Sequence, residues 1–280
     1  MRTVIFTSKN HILANAVIKQ LFLEKSIKVI AIVESSIVYP GKSNIEALLF
    51  ILKMSGFSYT LFQVAKFTFF RVAKNRYMLI PFKNENNILF PYQILALKKN
   101  IPIISIDNMN SDSFIRRLVK MKPDLFVSIF INQIFKSNLL SIPNKGTVNM
   151  HPAYLPSYRG LSPTFWSLAH NRKIIGVTIH EINNETIDTG RLLAQKKIPI
   201  KDSDTEYHLF WRCVLQGIPL LKEVLQKISK GVKISKKINP SISESYYSLP
   251  TKNAVKQFKQ NRKKFIKFRE LFYSYQDLKK

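Results

Sequence analysis

One cysteine, Cys213, occurs in 280 residues. A lone thiol excludes an intramolecular disulfide and any cysteine-based metal cluster. Its setting, "FWRCVLQ", reads as a small buried thiol on a helix. Acid is scarce too. Only 17 Asp and Glu face 44 Lys and Arg, a formal net charge of +27. Such a surplus suits nucleic acid, anionic lipid or anionic small substrates. A composition rich in Ile, Asn, Lys and Phe accounts for it equally well as background. No basic-then-apolar leader is visible, because "TVIFTS" begins a strand pattern at once, and the expected location is the cytoplasm. The most aromatic stretch, "LLFILKMSGFSYTLFQVAKFTFFRVAKNRYM", is interrupted by Lys53, Lys66 and Arg71, too often to span a bilayer as one helix. Paired His/carboxylate spacing is missing as well, so no metal is expected.

What is present alternates. "RTVIFTS", "IKVIAIVES", "IPIISID", "PDLFVSIF" and "GTVNM" read as strands, and "HILANAVIKQLF", "SDSFIRRLVKM" and "NQIFKSNLL" between them have helical spacing. This is the pattern of an α/β chain with a mostly parallel, twisted sheet and helices on both faces. Such sheets carry their sites at the C-terminal ends of the strands. "KIIGVTIHEI" and "GRLLAQKKIPI" add two strands. A long helix follows, opened by a Ser203-to-Glu206 capping box, kinked at Pro219 and ended by Gly231. The expected division is a catalytic domain over 1–231 and a basic appendage over 232–280, in which Thr251 caps a helix carrying Val255, Phe258, Phe265, Phe268 and Phe272. From Lys230 onward there are 14 basic and 3 acidic residues, read as a solvated face in preference to a nucleic-acid arm. An aromatic and basic insertion occupies about 36–95. It reads as a helical pair packing on the domain or on a second subunit, with a membrane-surface segment as the other reading.

One loop stands apart, "TVNMHPAYLPSYRGLSPTFW". In a strand, residues i and i+2 point the same way, so Asn149 and His151 emerge together at the functional edge. Pro152 and Pro156 restrict the backbone behind them. An amide beside an imidazole can hold a carbonyl oxygen as negative charge develops on it. "HEINNETIDTGRLL" offers a carboxylate, Asp188, in a turn between two strands. It could return to the same edge and either orient His151 or take a proton from an attacking amine. The three groups suit acyl transfer to an amine. His180 reads as facing solvent or the sheet edge, and His11 as a capping or packing residue. His170 and His208 have no partner pattern.

"NMHPAYLPSYRGLSPTFWSL" resembles the Asn-x-His-Pro-x-x-Leu-Pro-x-Tyr-Arg-Gly-x-x-Pro signature of the folate-dependent formyltransferases, and "GVTIHEINNETIDTGRLL" is similar to that family's second signature. The likeness is clear from about Ile101 to Ile200, a matter of pattern over 1–35, and absent from the insertion. It implies the Rossmann-like formyltransferase fold, 10-formyltetrahydrofolate as donor, a primary amine as acceptor, and Asn149, His151 and Asp188 as the catalytic trio. It implies that backbone groups of two loops hold the pterin: Phe130, Ile131, Asn132 and Ile134 in one, Asn183, Asn184, Glu185 and Ile187 in the other. Arg159 and Gly160 would shape the turn beyond His151, with Tyr158 lining the acceptor side. Where the purine-pathway branch has a glycine-rich turn, this chain has "TSKNHILA", and its tail lacks the pattern of the tRNA enzyme's β-barrel. The resulting expectation is an N-formyltransferase for an amino sugar, nucleotide-linked, in surface-polysaccharide biosynthesis. A methionyl-tRNA formyltransferase-like enzyme and a formyl-folate hydrolase are the alternatives, since Asn, His and Asp alone do not separate transfer from hydrolysis. Expected partners are the small-molecule amine first and tRNA second. The insertion admits a peripheral membrane contact or a homodimer.

Overall fold

The computed structural model describes residues 1–35, 41–79, 90–235 and 242–272. The apolar runs become β1 (Arg2–Ser8), β2 (Lys28–Ser35), β3 (Ile103–Ile106), β4 (Leu125–Ile129) and β5 (Thr147–His151). A two-residue strand β6 (Arg159–Gly160) precedes β7 (Ile174–Glu181) and β8 (Leu192–Pro199), and β9 (Tyr246–Tyr247) pairs in parallel with β6. The main sheet has the order β3-β2-β1-β4-β5-β7-β8. Pairs from β3 through β5 are parallel, while β7 runs antiparallel to β5 and β8 antiparallel to β7. The helices are α1 (Ile12–Phe22), α2 (Asn44–Ser55), α3 (Phe57–Leu79), α4 (Tyr92–Lys98), α5 (Asp112–Met121), α6 (Ser137–Leu140), α7 (Pro163–Ala169), α8 (Glu206–Ser229) and α9 (Lys252–Gln260).

Helices cover both faces, which is why the parallel strands read as unbroken apolar runs. On one face Ile5, Val127, Val148, Met150 and Val177 pack with α1, α7 and α8. Gly217 allows α8 this approach, because a Cβ there would stand 2.6 Å from Met150 Sδ and 2.8 Å from Val177 Cγ2. On the other face Val4, Phe6, Val33 and Phe126 pack under Phe114 and Leu118 of α5 and Leu139 of α6. That second apolar cover stops at β5. Asn149 lies opposite His180, His151 opposite Thr178, and Thr178 opposite Gln195, so the alternation that buries Val148 and Met150 leaves a strip of polar side chains behind them. The fold therefore ends its second core layer where the candidate residues begin.

Two local readings are corrected. The cap of α8 is Thr205, whose hydroxyl accepts from the His208 amide at 3.0 Å, and not Ser203. Glu206 is drawn into the core instead, where its carboxylate accepts from the Thr164 hydroxyl at 3.3 Å. In the tail Thr251 does cap α9, accepting from the Ala254 amide, but the helix stops at Gln260. Phe265 returns to lie 4.8 Å from Phe258 and 5.1 Å from Phe62, ring centroid to centroid. Seven helical residues would place two rings about 10 Å apart along the axis, so this stacking requires the chain to reverse. Phe268 is left exposed in a short 3-10 turn, and the side chain of Phe272 lies outside the described residues.

The tail is part of the same body. Ala254, Val255 and Phe258 of α9 belong to the main core cluster, and Phe258 stacks on Phe165 at 5.0 Å. The insertion also packs on the domain. Tyr59, Phe62 and Phe70 of α3 are buried, Tyr59 meets Phe165 at 5.7 Å, and the Ser55 hydroxyl donates to the Pro250 carbonyl. Phe258→Ala should therefore cost about 3–5 kcal/mol in denaturant unfolding, the range for a fully buried aromatic. A detached appendage would lose almost nothing.

Candidate active site

Strand β5 delivers Asn149 and His151 to the polar strip, and the loop after β7 brings Asp188 back against them. One Asp188 oxygen, Oδ2, accepts from the Gly160 amide at 2.8 Å and lies 3.5 Å from His151 Nδ1. The other, Oδ1, lies 3.3 Å from His180 Nε2. His180 was not expected here. Its strand could have turned it to solvent, yet the antiparallel register with β5 sets it opposite Asn149, whose amide nitrogen stands 3.0 Å from His180 Nε2.

The hydrogen bonds assign the tautomers. His151 Nε2 is 2.9 Å from the Tyr158 carbonyl, and His180 Nδ1 is 2.7 Å from the Glu181 carbonyl. A carbonyl only accepts, so both of those nitrogens donate. In the neutral rings the remaining nitrogens carry lone pairs, and both face Asp188. At His180 that lone pair accepts from the Asn149 amide. A proton taken up by His151 at Nδ1 would sit directly against the carboxylate. The cluster has a built-in place for one proton.

The charge states fit this role. Burial pushes the His151 imidazole below its ordinary value; Asp188 and the Tyr158 carbonyl pull it up, and His180 adds to the depression. The ring is therefore neutral at pH 7, the form that can accept. Burial alone would raise the Asp188 carboxyl, but the attraction of the two imidazoles, exerted when a ring nitrogen facing it carries a proton, and the Gly160 amide outweigh it and hold the group well below the usual carboxylate range. Backbone at φ near +55° to +60° recurs around the cluster, at Phe130, Tyr158 and Asp188. Such conformations are retained in non-glycine residues where the surroundings fix them, and they concentrate at functional sites.

Tyr158, Arg159 and Gly160 meet the cluster through main chain. The Tyr158 ring itself is buried, stacked on Tyr247 at 5.3 Å, with its hydroxyl accepting from Arg172 Nε at 2.9 Å and lying 3.2 Å from His170 Nδ1. Its carbonyl, not its ring, touches His151. Arg159 pairs with Glu244 at 3.6 Å. Gly160, at φ 92°, has no room for a Cβ, which would collide with the Tyr247 carbonyl of β9.

The two loops expected to hold the pterin converge. Glu185 accepts from both the amide and the hydroxyl of Ser137, tying the loop after β7 to the start of α6 beyond the loop after β4. Asn184 braces its own loop, accepting from the Thr186 amide and the Thr189 hydroxyl, while its amide donates to Asn183. Asn132 lies in the first loop, and Ile131 packs against the second core layer. Ile134 and Ile187 are exposed, at 48% and 36%, one apolar side chain from each loop. Ser8 donates to the Phe130 carbonyl, and His11 stacks on the Phe130 ring at 4.6 Å. His208 belongs elsewhere, 3.1 Å from Asp204.

His11 makes no side-chain cap bond, and burial with nearby Lys66 lowers its pKa to about 3. An unfolded chain takes up that proton near pH 6.5. Between those values the unfolded state binds more protons, so stability falls as pH falls. The thermal midpoint should drop from pH 7 to pH 5, and His11→Phe, which keeps a ring against Phe130, should flatten part of that slope.

Comparisons place the chain among known proteins. Residues 89–225 match the family model described as formyl transferase. A methionyl-tRNA formyltransferase of Thermodesulfovibrio yellowstonii is 35% identical over 138 residues, 49% of this chain and 44% of that one. A GDP-perosamine N-formyltransferase of Brucella melitensis is 31% identical over 122 residues, 44% of this chain and 47% of that one. The chain thus spans less than half the length of these relatives. An N-formyltransferase of Helicobacter canadensis, solved with folinic acid and dTDP-3-aminofucose, superposes with a TM-score of 0.52 at 20% identity, over 89% of this chain and 71% of that one. At that identity the likeness concerns the fold.

Proposed function

Since residues 89–225 match the formyl transferase family model, we propose that this chain transfers a formyl group from 10-formyltetrahydrofolate to the primary amine of an amino sugar, one carried on a nucleotide and used in surface-polysaccharide biosynthesis. The observation that carries the reading is the single carboxylate, Asp188, set between two imidazole nitrogens beside the Asn149 amide.

The donor supplies an activated formyl carbon on N10. The two braced loops, with Ile134 and Ile187 turned outward, would hold the flat pterin by main-chain groups between apolar side chains. Asn149 uses one amide N–H on His180 and presents the other to the formyl oxygen as the amine attacks and charge develops there. The new C–N bond forms, the C–N10 bond breaks, the amine gives up a proton and N10 receives one. His151 is neutral and buried, and Asp188 stands ready to hold it as imidazolium while the proton is in transit. No protein nucleophile is needed. Cys213 does not compete for the role, because it is buried on α8 and burial pushes its thiol far up.

A sugar nucleotide is preferred as acceptor because a diphosphate suits a chain of net charge +27, and because relatives with sugar acceptors in their names occur among the matches. The tRNA reading stands second, on the methionyl-tRNA relative. The experiment follows tetrahydrofolate production from 10-formyltetrahydrofolate with nucleotide-linked amino sugars and initiator tRNA as acceptors. Turnover with an amino sugar supports the reading; turnover with tRNA alone replaces it.

A further inference from the structure

The hairpin of α2 and α3 turns an unusual amount of apolar surface outward. On α2, Ile45 is 72% exposed and Leu49 59%; on α3, Phe57 is 72% exposed, Leu61 54% and Val72 61%. On α3, Phe57, Leu61, Val64 and Val72 recur at spacings of four, three and eight residues, so they share one face, with Thr68 standing between the last two. Apolar stripes this long on a soluble surface mark a site of association. They are not the price of a poorly packed insertion, since the opposite side of α3 is buried through Tyr59, Phe62 and Phe70.

Charge decides between occupants. From 41 to 79 the chain has six Lys and Arg and one acid, Glu46. That carboxylate is engaged in the capping box of α2, accepting from the Ser43 amide at 2.8 Å. Lys53 and Arg71 are exposed beside the stripes. A second copy would bring another chain of net charge +27 against this one. A bilayer rich in anionic lipid offers the opposite sign together with an apolar interior. Among the described residues no helix is long and apolar enough to cross a membrane. A helix with an apolar stripe and basic flanks lies in the interface instead.

We propose that the α2–α3 hairpin docks this chain on the surface of an anionic lipid bilayer, inserting the Ile45–Leu49 and Phe57–Leu61–Val72 stripes between the headgroups. The hairpin adjoins the candidate site, because the Tyr59 hydroxyl is 3.1 Å from the Ser162 hydroxyl, two residues beyond Gly160. Docking would bring the site to the membrane plane. The inference rests on this surface and not on formyl transfer, so either can fail without the other.

The test is flotation of the full chain with vesicles of phosphatidylcholine alone and with one-third phosphatidylglycerol, in low salt and in 0.5 M salt (about 4 Å of screening length). The expected result is binding to the anionic vesicles that survives the high salt. It should weaken about tenfold or more in the double variant Leu49→Glu/Leu61→Glu, whose thermal midpoint should match the parent's because both side chains are exposed. Lys53→Glu/Arg71→Glu should weaken binding to anionic vesicles without creating a preference for neutral ones. The proposal is overturned by absence of binding to either vesicle, or by binding that the double glutamate variant leaves unchanged. It is also overturned by a vesicle-free dimer that the same variant dissociates, which would make a second copy the occupant.

Discussion

His151→Ala is expected to lower kcat for formyl transfer by about 10³-fold while leaving the fold intact. The ring sits where strand geometry and the Tyr158 carbonyl fix it, with its second nitrogen 3.5 Å from Asp188. Removing it takes away the proton acceptor that the neutral, buried ring supplies, and it leaves the Tyr158 carbonyl without its donor. The second loss costs about 1–3 kcal/mol of stability, far too little to unfold a domain of this size but enough to register in a melt. A stopped assay with saturating donor and acceptor, run beside a thermal melt, separates the two effects. Residual activity within tenfold of the parent would mean that His151 is a loop-bracing residue.

Asp188→Asn is the second large effect, a fall in kcat of about 10²-fold. The amide can still accept from Gly160, so the loop should keep its shape, but the charge between the two imidazoles is gone. The sign of the accompanying pH effect follows from the contacts. The Asp188 carboxylate raises the His151 pKa against the burial that lowers it. With the carboxylate neutralised, His151 should hold its proton less well still, and the acid limb of the kcat–pH profile should move to lower pH. An unmoved limb would mean that the titrating group is not His151. Removing the charge also removes a stability contribution. The folded Asp188 carboxyl titrates below its unfolded value, so the parent is favoured above about pH 4 and loses that advantage as pH falls further.

Much of this site is legible in the sequence. Asn149 and His151 could be paired because i and i+2 share a face of any strand, and Asp188 because its turn had to lie near a strand end. His180 could not be placed from "GVTIHEI", whose alternation gives two faces but not which one is wet. That depended on the antiparallel register with β5, a contact across 31 residues. Tyr158 misled for a similar reason. Its ring is claimed by Tyr247 and Arg172, partners 89 and 14 residues away, and only its carbonyl reaches the site. The sheet was readable from its apolar runs, whereas helix ends were not. A Ser-x-x-Glu pattern stands at 203–206, but Thr164 draws Glu206 inward and leaves the cap to Thr205. In the tail, the heptad-like phenylalanines suggested one helix, but the aromatic cluster of Phe62, Phe165 and Phe258 rewards a reversal that brings Phe265 among them.

The most direct measurement gives the protein 10-formyltetrahydrofolate labelled with ¹³C in the formyl group and a nucleotide-linked amino sugar, and asks where the label goes. The label should appear in the N-formyl amide of the sugar, only when the amine is present, and not with Asn149→Ala. Label released as formate at the same rate with and without an amine would contradict it, and would make the chain a hydrolase built from the same three residues.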